Sequence, residues 1–131
     1  MTAQTMTDDI VELTVPADGA YLSVLRTATA GLAARLHFTL DEIEDLRIAV
    51  DEACALLLPA IGNPQDTELT CRFDVGPDSL AVAISAPATG ALPDTQTFAW
   101  RVLAALVADV AAELQAGVAT IRMTKRRASA G

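Results

Sequence analysis

Few side chains in this 131-residue sequence have the chemistry of a catalytic or metal-binding group. The two cysteines, Cys54 and Cys71, fall on apolar positions of a helical and a strand pattern. We predict that they are reduced core residues, with a disulfide or a metal pair as the alternative. His37 has no neighbours that could complete a metal site, so we predict a linker residue. The basic cluster at 125–127 is expected to be a solvated tail, with a contact patch as the alternative.

The most informative carboxylate is Glu52, which lies in the segment LRIAVDEAC at positions 46–54. Taken alone, it is compatible with an ordinary exposed helix carboxylate. Residues four apart share one face of a helix, so Ile48, Glu52 and Leu56 form a stripe beside the apolar one. This stripe favours a position for Glu52 that faces a groove.

The elements before and around this segment have clear start signals. Ile10–Val15 alternates apolar and polar residues, which is typical of a half-buried strand. Asp18 can cap the next helix, whose apolar residues recur at three- and four-residue steps. Thr39 and Glu42 form an S/T-x-x-E capping box at the start of a second helix. The sequence therefore predicts one strand followed by two amphipathic helices.

The second half of the chain predicts further strands and one more helix. Apolar residues alternate through 68–75 and 80–84, and the Gly-Pro-Asp between them predicts a hairpin turn. Residues 86–96 are rich in proline and glycine, so we predict a loop. A broad apolar stripe predicts a helix from Thr97 to Leu114, and alternation returns in a last strand at 119–124.

Strands that are apolar on one face argue for a mainly antiparallel sheet with helices on one side. We therefore predict an α+β fold, a two-layer α/β sandwich. The length fits one domain. We place that domain at 10–127, with a flexible N-terminus at 1–9 and a tail at 128–131.

Composition narrows the class of function. Hydrophobic residues make up 52% of the chain, which excludes disorder. The net charge of −8 disfavours nucleic acid as a partner, because a phosphate backbone would repel it. No secretory signal and no apolar run of about 20 residues is found, so we expect a cytoplasmic protein without a membrane anchor.

The segment at 46–54 resembles the first ATP-binding box of the anti-sigma factor kinases of the RsbW/SpoIIAB type. These belong to the GHKL group, which has the Bergerat, or histidine-kinase-like, ATPase fold. The resemblance in element order covers residues 10 to 125. It implies that Glu52 occupies the position of the general base. The family's Mg²⁺-binding asparagine falls on Leu56, and a leucine cannot coordinate a cation that requires oxygen ligands.

Two further boxes of the family are also changed. No aspartate is present at 84–90, where the family's adenine-binding residue is expected. The glycines of the third box are replaced in the sequence Thr97-Phe98-Ala99-Trp100. The resemblance therefore implies a degenerate pocket near Glu52, Leu56, Ala99 and Trp100, with Glu52 as a vestigial base. We expect no ATP or Mg²⁺ cofactor, no metal and no enzymatic activity.

The resemblance implies a protein-binding function. We expect an anti-sigma factor that sequesters an alternative sigma factor and is antagonised by a STAS-type anti-anti-sigma factor. Counting back from the Glu52 box places Arg26 at the family's partner-binding position, with an ordinary surface arginine as the alternative. We also expect a homodimer or a complex with the sigma factor. Two other functions remain open: an active serine kinase that phosphorylates the antagonist, and a small-molecule sensor that uses the remodelled pocket.

Overall fold

The structure, a computed structural model, describes residues 9–89 and 94–128. Most of the predicted N-terminal segment 1–9, most of the predicted tail 128–131 and part of the predicted loop 86–96 lie outside these ranges. Five strands and three α-helices follow one another within the described residues: β1 (Asp9–Pro16), α1 (Leu22–Arg35), α2 (Leu40–Leu57), β2 (Glu68–Val75), β3 (Ser79–Pro87), α3 (Phe98–Leu106), β4 (Ala108–Gln115) and β5 (Val118–Arg126).

The strands form one sheet in the order β1-β2-β3-β5-β4, and every neighbouring pair is antiparallel. The central strands alternate in burial, because one face of the sheet carries the helices. The predicted α+β fold with a mainly antiparallel sheet is confirmed.

The core lies between this sheet and α2. The register aligns Phe73 with Val82 and Val82 with Met123, so apolar side chains of three strands stand in one row. All three are buried. They face the buried side of α2, whose core residues recur at helical spacing: Leu46, Ala49, Val50, Ala53, Cys54 and Leu57.

Hydrogen bonds close both ends of the turn between α1 and α2. The amide of Phe38 donates to the carbonyl of Ala33 at 3.1 Å, and His37 has a φ of 63°, as in a Schellman C-cap. His37 thus lies in the connection, as predicted. Thr39 Oγ1 accepts from the amide of Glu42 at 3.1 Å, and Glu42 Oε1 accepts from the amide of Thr39 at 2.7 Å. The predicted capping box is therefore confirmed.

The predicted helix from Thr97 to Leu114 is wrong in its second half. Helix α3 ends at Leu106, and residues 108–115 form β4, which pairs with β5. Ala116 and Gly117 have φ values of 53° and 77°, so two residues with positive φ close the hairpin. The ladder to β5 satisfies backbone groups that would otherwise lie along an open sheet edge.

The expectation of a solvated basic tail at 125–127 is wrong for Lys125, whose side chain is only 19% exposed and donates to Asp45 and to the carbonyl of Leu106. Arg126 and Arg127 are exposed, although Arg126 belongs to β5 and Arg127 donates to the carbonyl of Leu36. The Lys125–Asp45 and Arg127–Leu36 bonds join residues 80 and 91 positions apart in the chain, so no local sequence pattern predicts them.

Candidate functional site

The predicted pocket residues lie where α2 and α3 pack side by side. Asp45, Glu52 and Leu56 share one side of α2, because residues 7 and 11 positions apart return to nearly the same angle. Lys125 Nζ bridges Asp45 Oδ2 and the carbonyl of Leu106 at the end of α3, so this side of α2 faces α3. Glu52 and Leu56 therefore lie toward α3, whereas Ile48 of the predicted stripe is 37% exposed.

Apolar side chains fill much of the groove between α2 and α3. Leu56 from α2 and Trp100 from α3 are both partly buried and pack against the hydrophobic core. Glu52 and Ala99 are half-buried beside them. A leucine and an indole at these positions present carbon instead of the oxygen ligands and open backbone that a metal–phosphate group requires.

The N-terminus of α3 is closed by its own cap. Thr97 Oγ1 accepts from the amide of Trp100 at 3.2 Å and donates to the carbonyl of Asp94 at 3.0 Å. The amide of Gln96 donates to Asp94 Oδ1 at 2.8 Å. Free N–H groups at a helix start are what bind a phosphate, and here the Thr97 side chain occupies one of them, that of Trp100.

Arg26 belongs to α1, which packs on the side of α2 away from α3, and its side chain forms an ion pair within the molecule. Its Nη1 donates to both carboxylate oxygens of Asp51, at 2.9 and 3.0 Å. The Arg26 side chain remains 35% exposed and that of Asp51 38%, so both can still meet a partner. Arg26 is therefore separate from the pocket residues, and the two predicted sites lie on different sides of α2.

Asp51 is a site residue that the sequence interpretation misses. It precedes Glu52, and the 100° step between neighbouring helix positions turns it toward α1 instead of α3. The contact between Asp51 and Arg26 depends on how α1 and α2 pack against each other, and a single sequence does not show that packing. The outer surfaces of the same two helices also expose large apolar side chains, at 43% for Val24 and 37% for Ile48.

The cysteines are buried and free, as predicted. Cys54 on α2 and Cys71 on β2 lie within the core. Burial raises the pKa of the Cys54 thiol to about 12, and burial also raises the pKa of Cys71 above its ordinary value. Both thiols therefore remain protonated at neutral pH and are poor nucleophiles and poor metal ligands.

No group of three or more His, Cys, Asp or Glu side chains in residues 9–89 and 94–128 is placed to hold a metal ion. Across the same ranges, none of the helices has the length and apolar character needed to cross a membrane.

The chain is similar in sequence to known proteins of one name. No model of a protein family matches the sequence. The chain is 40% identical over 78 residues to the serine-protein kinase RsbW of Bacillus subtilis, and 37% identical over 78 residues to that of Bacillus velezensis. Each alignment covers 59% of this chain and 49% of the relative. The chain thus spans about half the length of the curated relatives it matches.

A solved structure agrees with this relationship. The crystal structure of the RsbU and RsbW domains of Rv1364c from Mycobacterium tuberculosis superposes with a TM-score of 0.71. The match covers 91% of this chain and 32% of that one, at 14% identity, so it shows the fold alone. Together with the RsbW relatives, it confirms the resemblance and the histidine-kinase-like fold that the sequence predicts.

Proposed function

We propose that this chain, which is similar in sequence to RsbW serine-protein kinases and in fold to an RsbW domain, is an anti-sigma factor that works by binding and not by catalysis. It sequesters an alternative sigma factor of the stress or development type in the cytoplasm. A STAS-type anti-anti-sigma factor competes for it and releases the sigma factor. The observation that carries the non-catalytic part of this proposal is the closed N-terminus of α3.

The capped helix start leaves fewer free N–H groups for phosphates. Thr97 Oγ1 occupies the amide of Trp100, and the preceding turn is held by Asp94 Oδ1, which accepts from the amide of Gln96. A nucleotide would have to break these local hydrogen bonds before its phosphates could reach the helix N-terminus. It would also meet Thr97 and Ala99 where the family's third box has glycines, with the bulk of Trp100 beside them.

Leu56 supports the same proposal from the other side of the groove. It packs against the core and offers no oxygen to Mg²⁺. Without a metal, the charge of a transferring phosphoryl group would remain uncompensated. Glu52 is then a retained carboxylate without a substrate to deprotonate.

Charge favours a protein partner with basic surfaces. The net charge is −8, and Arg26 is held by Asp51 on a surface that α1 and α2 share. Complementary charge speeds the encounter of two proteins and excludes wrong partners. A sigma factor, whose DNA-facing surfaces must be basic, fits this requirement, and nucleic acid does not.

We propose that the chain pairs with a second copy or with its sigma factor through the β1 side of the molecule. Strand β1 is at the edge of the sheet, and no other strand of the described residues pairs with its outer side. Ile10 is 50% exposed and Val11 40%. Exposed apolar edge strands are normally protected, and a twofold-symmetric dimer, the commonest kind of oligomer, would cover this one.

An active serine kinase is the second candidate function. The curated relatives are named serine-protein kinases, and Glu52 is retained at the position of the base. Under this alternative, a nucleotide would have to displace the Thr97 cap and bind without the asparagine replaced by Leu56.

Two measurements test the proposal. In transcription with purified RNA polymerase and an alternative sigma factor of the same organism, we expect the chain to inhibit initiation. In calorimetry with ATP and Mg²⁺, we expect no micromolar binding, which would correspond to about −8 kcal/mol. Micromolar binding, or transfer of labelled phosphate to a STAS protein, would establish the kinase instead.

A further inference from the structure

Side chains at the end of β5 donate hydrogen bonds to the helices that pack on the sheet. Lys125 Nζ donates to Asp45 Oδ2 on α2 at 3.2 Å and to the carbonyl of Leu106 on α3 at 2.8 Å. Arg127 Nη1 donates to the carbonyl of Leu36 at the end of α1 at 3.1 Å. Lys125 near the end of β5 and Arg127 just after it thus contact α2, the end of α3 and the C-cap of α1.

Lys125 is the central member of this group. Its side chain is only 19% exposed, and two of its three ammonium protons have partners in the helix layer. The C-terminus of α3 carries no basic residue of its own in its last turn. Lys125 supplies the positive charge that a helix C-terminus favours, from a strand instead of from the helix itself.

The residues after Lys125 continue the same pattern. The amide of Ala128 donates to Glu42 Oε2 at 2.8 Å, while Glu42 Oε1 serves the capping box of α2. The amide of Arg127 donates to the carbonyl of Asp78 at 2.7 Å, which fixes the segment against the turn between β2 and β3. Hydrogen bonding to Thr39 lowers the pKa of Glu42, so this carboxylate is ionised and accepts both bonds at neutral pH.

We propose that residues 125–128 form a clamp that sets the position of α1 and α2 on the sheet, and that Lys125 is a positioning residue for partner binding. This inference rests on the proposed anti-sigma function. The clamp acts at Leu36, Glu42 and Asp45, where α1 ends and α2 begins. Arg26 lies ten residues before Leu36, about 15 Å along α1.

The clamp and the Arg26–Asp51 pair therefore hold opposite ends of the same helix pair. If the clamp opens, α1 and α2 are held together mainly by the Arg26 end and by their apolar contacts. The surface that these helices share then samples several arrangements, only a fraction of which fits a partner. Affinity falls by that fraction, even though Lys125 itself touches no partner.

The test is Lys125→Met, which keeps an apolar stem of similar length and removes the charge. The matched control is Arg126→Gln. This substitution also removes one positive charge, but from a side chain that pairs with Asp109 of β4 at 3.3 Å and makes no contact with the helices in this ion pair. A second control, Val82→Ala, lowers stability in the core without touching the clamp. Affinity is measured for a purified alternative sigma factor of the same organism, and hydrogen exchange is followed at amides 36–46 and 104–107.

We expect Lys125→Met to weaken binding at least tenfold and to speed exchange in both amide groups by a similar factor. Arg126→Gln and Val82→Ala should stay within threefold of wild-type affinity. Unchanged exchange and affinity in Lys125→Met would overturn the proposal. An equal loss of affinity in Val82→Ala would also overturn it, because the effect would then be one of general stability. If the unaltered chain binds no sigma factor, the proposed function is wrong. The clamp is then tested by the exchange rates alone, and unchanged rates in Lys125→Met would overturn it.

Discussion

Charge reversal at Arg26 separates a binding role from a folding role. Its Nη1 contacts Asp51 at 2.9 and 3.0 Å, but the two side chains are 35% and 38% exposed. Ion pairs this open to water contribute about 0.2–1 kcal/mol. Arg26→Glu places a like charge beside Asp51, so we expect a loss of about 1 kcal/mol of folding stability. A domain of this kind has about 5–15 kcal/mol in total and should stay folded.

Binding should suffer far more than folding. Truncating an interface arginine that anchors a partner costs about 2 kcal/mol or more, roughly a thirtyfold loss of affinity. Reversal should exceed this, because a partner carboxylate would then face a negative charge. We expect the Kd for the sigma factor, measured by calorimetry, to rise at least thirtyfold while the urea midpoint changes only slightly.

Two further variants make the result decisive. The exchange Arg26→Glu with Asp51→Arg restores the ion pair and should restore stability but not affinity. Arg72→Glu is the surface control, since Arg72 pairs with Asp74 at 3.2 Å on the outer face of the sheet. If Arg26→Glu binds the sigma factor within threefold of the unaltered chain while remaining folded, the assignment of Arg26 is wrong.

Three other predictions concern the fold. Burial raises the pKa of Cys54 to about 12, and Cys71 is buried too. At pH 8 we therefore expect a thiol reagent to label both cysteines only as fast as the chain unfolds. Rapid labelling in native buffer would show that the core is open. His37→Gly should raise the free energy of unfolding by about 1 kcal/mol in a urea titration, because φ at 63° favours glycine, and a loss would contradict the Schellman geometry. Gly117→Val should lower it by about 1–2 kcal/mol in the same titration, because φ is 77° there, and an unchanged value would contradict the hairpin turn between β4 and β5.

The parts of the fold that sequence reasoning predicts are those with local signals. The capping box of Thr39 and Glu42 lies within one helical turn, and the alternation of 68–75 and 80–84 fixes both strands of the hairpin. The α+β architecture follows, because strands with one apolar face need helices on that side. That Glu52 and Leu56 share one side of α2 also follows from helical spacing alone.

The missed features depend on distant contacts. Residues 108–115 contain Ala, Leu and Glu, which favour a helix, and their turn at Ala116–Gly117 lacks the Asn-Gly pair that marks most two-residue hairpins. Residues 108–115 form a strand because they pair with the edge of β5, and no local sequence pattern indicates that this edge is available. Lys125 is likewise separated by 80 positions from Asp45, so a cluster of basic residues looks solvated until the fold joins them.

The central claim is that this chain binds a sigma factor without a nucleotide. The most direct measurement is to isolate the chain from the cytoplasm of its own organism in buffer with EDTA and an ATP-degrading enzyme, and to identify the bound proteins by mass spectrometry. We predict that an alternative sigma factor co-purifies in near-stoichiometric amount, and that Arg26→Glu loses it. Absence of any sigma factor, or its recovery only when Mg-ATP is restored, would contradict the account.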